Sequence, residues 1–295
     1  MDETRDRDAI RRAFDAAAAR YDDTAVLQHE VGRRVLERLD FIKLVPQQVV
    51  DVGAGTGLTT AGLRQRYRKA RVTAVDLAPA MLQRARRHGS WLRPLPAVCA
   101  AAESLPFRDR SVDLLFSNLT FQWVGDLDRL FEECQRVLRP DGLLMFSTFG
   151  PDTLRELRES WSDADDERHV NRFVDMHDIG DALVKARFGD PVMDMENFTL
   201  TYDSATALMR DLKSMGAQTV RGGRHGGLTG RQRLARMTAA YERYRDREGR
   251  LPATWEVVYG HAWATDQLPQ KTDDSGAVTV SLDAVRSQLR RDPSS

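Results

Sequence analysis

The stretch QQVVDVGAGTGLTT, residues 47–60, constrains the fold of this chain more than any other. Val49 to Val52 is a short apolar run of strand type, Gly53 to Gly57 is a turn, and Leu58 to Tyr67 has helical spacing. Gly53, Gly55 and Gly57 let backbone come close to a ligand and permit dihedrals that other residues resist. The next strand, RVTAVD at 71–76, ends on Asp76, where a carboxylate can accept both hydroxyls of a ribose. Strand, glycine turn, helix, strand and acid, in that order, predict a site for a nucleoside-containing cofactor at the carboxyl edge of a parallel sheet.

The alternation continues. Pro79 opens a helix, where its missing N–H costs nothing. Ala97 to Cys99 is a brief strand and Val112 to Phe116 a buried one. Leu127 to Leu138 is helical, and Pro140-Asp141-Gly142 turns into a strand over Leu143 to Thr148. Short connections between alternating strands and helices predict an α/β, doubly wound, mostly parallel sheet with helices on both faces. Ahead of it, residues 8–40 carry apolar residues at helical spacing, including Ile10, Phe14, Ala17, Ala18 and Tyr21.

After Pro151 helices are expected over 152–161 and 178–187, a strand over 192–202, a helical block to 250 and a last strand over 254–263. The block 204–250 holds eleven Lys or Arg against four Asp or Glu, a net charge of +7, with a Gly- and Arg-rich centre, TVRGGRHGGLTGR. It reads as a basic helical lid inserted between the last two strands. The expected organisation is an N-terminal helical cap over 1–44, a core over 45–203, the lid over 204–250, a last strand over 251–264 and a polar tail over 265–295.

Lys plus Arg and Asp plus Glu both number 44 in 295 residues, so the whole chain has no charge argument for nucleic acid or membrane. No stretch approaches the ~18 apolar residues of a membrane span, and the charged N-terminus lacks the apolar run of a secretory signal. A cytoplasmic protein is expected. Two cysteines, Cys99 and Cys134, give no disulfide framework, and His169 and His177 do not have a paired metal spacing. No metal is expected.

The spacing of the glycines separates two nucleotide-binding patterns. The dinucleotide fingerprint needs a glycine at position 58, which is Leu58. G-x-G-x-G preceded by Asp51 instead resembles the class I S-adenosylmethionine-dependent methyltransferases, as do ESLPF at 103–107 and LRPDG at 138–142. That resemblance implies a Rossmann-like fold with a seven-stranded, mostly parallel sheet. It implies S-adenosylmethionine as cofactor, S-adenosylhomocysteine as product, and contacts from Asp51, Gly53, Gly55, Gly57, Asp76, Leu77, Ala102, Glu103 and Asn118. The acid that often receives the adenine amino group falls on Ala101, so backbone near Ala102, or Glu103, is expected to read the adenine.

SNLTFQWVGDL at 117–127 narrows the family. It resembles the SNL-x-x-QW signature of the malonyl-acyl-carrier-protein O-methyltransferases of biotin synthesis. FDAAAARYD, TFGPDTLRELRESW, HVNRFVDMHDIGDAL, LMRDLKSMGA, LTGR and LPATWEVVYGHAW resemble further blocks of that family. The resemblance implies methylation of the free carboxylate of a malonyl thioester, on acyl carrier protein or coenzyme A. A carboxylate is ionised at neutral pH, so no general base is needed. Arg172 and Tyr21 are candidates for positioning it. Phe121, Gln122 and Trp123 are candidates for the acceptor wall, and Arg221, Arg224, Arg231 and Arg233 for carrier or phosphate contacts. Two alternatives share much of the pattern: a methyltransferase for another small carboxylate, and a cofactor-binding arginine hydroxylase of respiratory complex I assembly, for which the acids at 163–167 would receive the substrate.

Overall fold

The computed structural model describes residues 3–167, 169–215 and 230–266. Seven strands form one sheet in the order β3-β2-β1-β4-β5-β7-β6. They are β1 (Gln48–Val52), β2 (Arg71–Asp76), β3 (Ala97–Cys99), β4 (Val112–Asn118), β5 (Leu138–Phe149), β6 (Phe188–Tyr202) and β7 (Leu251–Ala264). The first five are parallel; β7 runs antiparallel to both β5 and β6. The order reverses between β1 and β4, which leaves a crevice above their carboxyl ends.

Ten helices accompany the strands among the described residues: α1 (Glu3–Ala17), α2 (Tyr21–Thr24), α3 (Val26–Arg38), α4 (Leu58–Arg66), α5 (Pro79–Ala85), α6 (Leu127–Val137), α7 (Arg155–Ser162), α8 (Met176–Lys185), α9 (Ala205–Ser214) and α10 (Arg231–Tyr241). One face of the sheet is covered by apolar stripes such as Leu27, Val31 and Val35 of α3, Leu157 and Trp161 of α7, and Met237 and Tyr241 of α10. The other is covered by Leu130, Phe131, Cys134 and Val137 of α6 and Ile179 and Leu183 of α8. β4 is buried from Val112 to Ser117, as a central strand covered on both faces must be.

Two expectations are corrected. The helical stretch over 8–40 is three helices. The breaks fall at 18–20 and at Ala25, on either side of α2, and Asp22 of α2 accepts from Thr56 Oγ1 at 2.5 Å, which draws the chain over the glycine turn. Residues 140–142 do not precede β5 but bulge within it. Val112 pairs with Leu138 and Leu114 with Leu143, so 139–142 have no partner in β4, and Asp141 takes φ +61°. The lid centre, with Arg221 and Arg224, and the tail beyond Asp266 lie outside the described residues.

Candidate active site

A cavity of about 330 Å³ opens at the carboxyl ends of β1, β2 and β4, within the ~300–1,000 Å³ of small-molecule sites. The glycine turn forms its floor. Gly53 and Gly55 donate nothing bulky to it: a Cβ on Gly53 would collide with Thr120, whereas one on Gly55 would stand in open space. Gly57 is not at the cavity wall. It takes φ +89° at the start of α4, where a Cβ would lie 2.8 Å from Ala85 Cα, so it serves the packing of the turn.

Asp76 lines the cavity and accepts from Gly55 N and Ala78 N, both at 2.8 Å. Asp51 lies buried at the end of β1. Its Oδ2 accepts from Thr59 and Thr60, while its Oδ1 is buried with no partner among the described residues. Burial pushes both carboxyls up to about 6, partly offset by these hydrogen bonds. Leu77, Ala101, Ala102 and Glu103 form the wall beyond β2 and β3. Glu103 accepts from Arg7 at 3.4 Å. An open glycine cradle, a ribose-type acid and an unpartnered buried carboxylate oxygen fit a cofactor with a ribose and a cationic, amine-bearing end.

The polar pair that ends β4 has a structural explanation. Ser117 Oγ donates to Val52 O at 2.9 Å. Asn118 receives Ser147 Oγ at 2.8 Å and donates to Gln28 O at 3.0 Å, holding α3 over the cavity. Leu119 takes φ +48° and its N–H donates to Ser147 O and Oγ. Gln122 donates to Leu119 O at 2.6 Å and receives Thr148 Oγ1 at 3.3 Å. Trp123 lines the cavity and meets Phe14 edge-to-face at 5.4 Å.

Several sequence candidates lie elsewhere. Phe121 is 2% exposed and packs against Phe131 and Phe146, with centroids 6.0 and 5.2 Å away, in the core between sheet and α6. Arg172 is exposed and lines a second, separate small cavity with Phe121, Phe146 and Phe173; Gln122 and Val124 belong to both cavities. Arg233 is committed to Glu167 at 2.8 Å and Asp165 at 3.6 Å. Arg231 is exposed at the start of α10. His169 bonds Asp165 and stacks on Trp161, and His177 bonds Asp175.

Residues 50–146 match a model described as a methyltransferase domain. The YcgJ protein from Bacillus subtilis has a similar fold, with a TM-score of 0.57 at 16% identity over 80% of this chain and all of that one. A relative from Halorhodospira halophila, named malonyl-acyl-carrier-protein O-methyltransferase, is 52% identical over 286 residues, 97% of each chain. The chain belongs to that family. A member from Methylovorus sp. is also 52% identical, over 88% of this chain and 89% of its own. The chain is therefore a methyltransferase of the S-adenosylmethionine-dependent class, with the Rossmann-like sheet read from its sequence. No helix among the described residues is long and apolar enough to cross a membrane.

Tyr21, a sequence candidate, lines the cavity, and the cavity residues that motif reading missed stand with it on the N-terminal helices: Arg7, Ile10, Phe14 and Gln28. Arg7 and Phe14 stand two turns apart on one face of α1, and the breaks on either side of α2 bring Tyr21 and Gln28 to the same cavity. Met215 and Phe149 close the same wall.

Proposed function

We propose that this methyltransferase places the methyl group of S-adenosylmethionine on the free carboxylate of a malonyl thioester, carried by acyl carrier protein or coenzyme A. The observation that carries this is 52% identity across 97% of both chains with a relative named for that reaction. The cavity supplies the chemistry's requirements. Asp76 would accept the ribose hydroxyls, Asp51, behind the turn with one oxygen unpartnered among the described residues, would take the amino group of the methionine part, and Leu77, Ala102 and Glu103 would flank the adenine.

When bound, S-adenosylmethionine supplies an electrophilic methyl group on a sulfonium, and its transfer to a carboxylate oxygen leaves the electron pair on sulfur. The protein's task is orientation and exclusion of water. Asn118, Gln122 and Leu119 fix the end of β4 by the bonds above, so the acceptor wall is preorganised. Tyr21 is pushed up by burial and by the charges of Asp76 and Asp22, so its hydroxyl stays protonated and acts as a donor. Phe14, Tyr21 and Trp123 present rings that a sulfonium tolerates and water does not favour. In this reading the basic 204–250 block, which includes Arg221, Arg224 and Arg231, supplies positive charge for an acidic carrier.

The test uses methyl-labelled S-adenosylmethionine with malonyl-carrier protein, malonyl-coenzyme A and acetyl-carrier protein. Label on malonyl acceptors alone, released as methanol by mild base, identifies a carboxyl methyl ester. Label on none of them, with S-adenosylmethionine still bound, overturns the reading.

A further inference from the structure

We propose that Gln28, together with the Tyr21 hydroxyl, forms the subsite that takes the acceptor's free carboxylate, and that this subsite works with neutral donors instead of an arginine. The inference rests on the function proposed above and assigns its carboxylate contact.

The polar groups of the inner wall are almost all committed. The Asn118 amide is used at both ends, by Ser147 Oγ and Gln28 O. The Gln122 amide is used at both ends, by Thr148 Oγ1 and Leu119 O. Thr120 Oγ1 approaches Asn118 O at 3.2 Å. The Gln28 side chain differs. Its Nε2 reaches only the Met215 thioether, at 3.5 Å, and its Oε1 is buried with no partner among the described residues. A thioether is a weak acceptor, so the amide holds donor capacity that the fold does not use. The hydroxyl of Tyr21, at the start of α2 on the same cavity, likewise has no hydrogen-bond partner among the described residues. Gln28 bonds Asn118 at the end of β4 and Met215, and lines the cavity with Phe149 at the end of β5, whereas Ala101 and Glu103 follow β3, three places away from β4 in the strand order.

The charged alternatives are placed differently. Arg172 lines the neighbouring cavity with Phe121 and Phe173, Arg7 is engaged by Glu103, and Arg129, which lines the same cavity as Gln28, is an exposed residue of the first turn of α6 beside Gly125 and Asp126. The chemistry also favours neutral donors. The carboxylate is the nucleophile, and it loses its charge as the new O–C bond forms. A guanidinium would bind the ionised ground state more tightly than the transition state and so slow the step. An amide and a phenol orient the oxygen with less of that cost.

The experiment measures malonyl-carrier protein KM and kcat, S-adenosylhomocysteine affinity by calorimetry, and Tm for wild type, Gln28→Leu, the less perturbing Gln28→Met, and Arg172→Ala. Loss of a hydrogen bond to a charged group predicts a malonyl KM about 10- to 100-fold higher in both Gln28 variants. Cofactor-product affinity and Tm should stay within about 2-fold and about 2 °C of wild type, as unused donor capacity implies. Arg172→Ala should leave the malonyl KM within about 3-fold, the scale of a surface change. An unchanged malonyl KM in a folded Gln28 variant overturns the proposal. So does a parallel loss of S-adenosylhomocysteine affinity, which would place Gln28 on the cofactor. Absence of transfer by wild type would instead remove the functional reading beneath it, and is read before any variant.

Discussion

Asp51 and Asp76 carry a pH dependence whose sign follows from their burial. In the unfolded chain each titrates near 3.8; in the folded, ligand-free site each is pushed up to about 6. Their contribution to folding stability is therefore fully present below 3.8 and is lost as pH rises through 6. Two ribose hydroxyls can donate to both oxygens, and do so most strongly, when the carboxylate is ionised, so binding runs the other way. S-adenosylhomocysteine affinity should fall as pH drops through about 6 and level off above it. Asp76→Asn should weaken binding about 10- to 100-fold, the scale of a charged hydrogen bond, and make the pH profile shallower, leaving the part that Asp51 carries; calorimetry from pH 5 to 8 checks both. A profile equally steep in Asp76→Asn would assign the titration elsewhere. Tyr21→Phe separates function from stability at a neighbouring position. The hydroxyl has no partner among the described residues, so its removal should leave Tm unchanged while lowering kcat/KM by roughly 10-fold or more. A lower Tm would mean that the hydroxyl serves the fold.

At the scale of elements, the antiparallel end of the sheet is held by a buried acid rather than by apolar packing alone. Glu156 of α7 accepts from both Thr254 N, at 3.0 Å, and Thr254 Oγ1, at 2.5 Å, on β7. Glu156→Ala leaves both donors buried and unpaired, and should cost about 2–3 kcal/mol in urea unfolding; Glu156→Gln, which keeps one acceptor, should cost about half. Strands were legible where the chain supplies clear boundaries. β2 and β3 run over the expected residues because apolar runs end at an acid or sit beside Pro. β5 began earlier than expected because a bulge at 139–142 absorbs what reads as a turn. The glycine turn, Asp76, Asn118 and Trp123 reach the cavity, since order along an α/β chain dictates which strand ends meet. Phe121 and Arg172 do not, because sequence proximity to a motif says nothing about the side of the sheet or the wall to which a side chain points. Tyr21 was legible, but Arg7, Phe14 and Gln28 were not assigned to the site, because along a single helix they read as an ordinary amphipathic stretch and only the breaks around α2 lay them over the glycine turn.

At the scale of the whole molecule, the sheet and the roof of the site differ in how they are held. β1, β4 and β5 are buried on both faces and paired on both edges. Beside a small apolar cluster in which Phe14 and Ala18 pack on Ala78 and Met81, α1 is held among the described residues by three contacts: Asp15 accepts from Ala80 N at 2.9 Å in the first turn of α5, Arg7 reaches Glu103, and Phe14 meets Trp123. Two of these three contacts involve residues of the cavity wall. Segments with few buried contacts open well below the global unfolding free energy, so amides of α1 and α2 should exchange with solvent much faster than those of β1 and β4. A ligand in the cavity touches the inner side of the row Arg7, Phe14, Tyr21 and Gln28 and adds contacts that exist only when the roof is down. Saturating S-adenosylhomocysteine should therefore slow exchange in α1 and α2 by about 10-fold or more at 100-fold excess over Kd, because binding stabilises only the closed form. The central strands, already limited by global unfolding, should change by no more than the shift in overall stability. Protection confined to the glycine turn and the end of β2, with α1 unaffected, would show that the cofactor enters beneath a roof that takes no part in holding it.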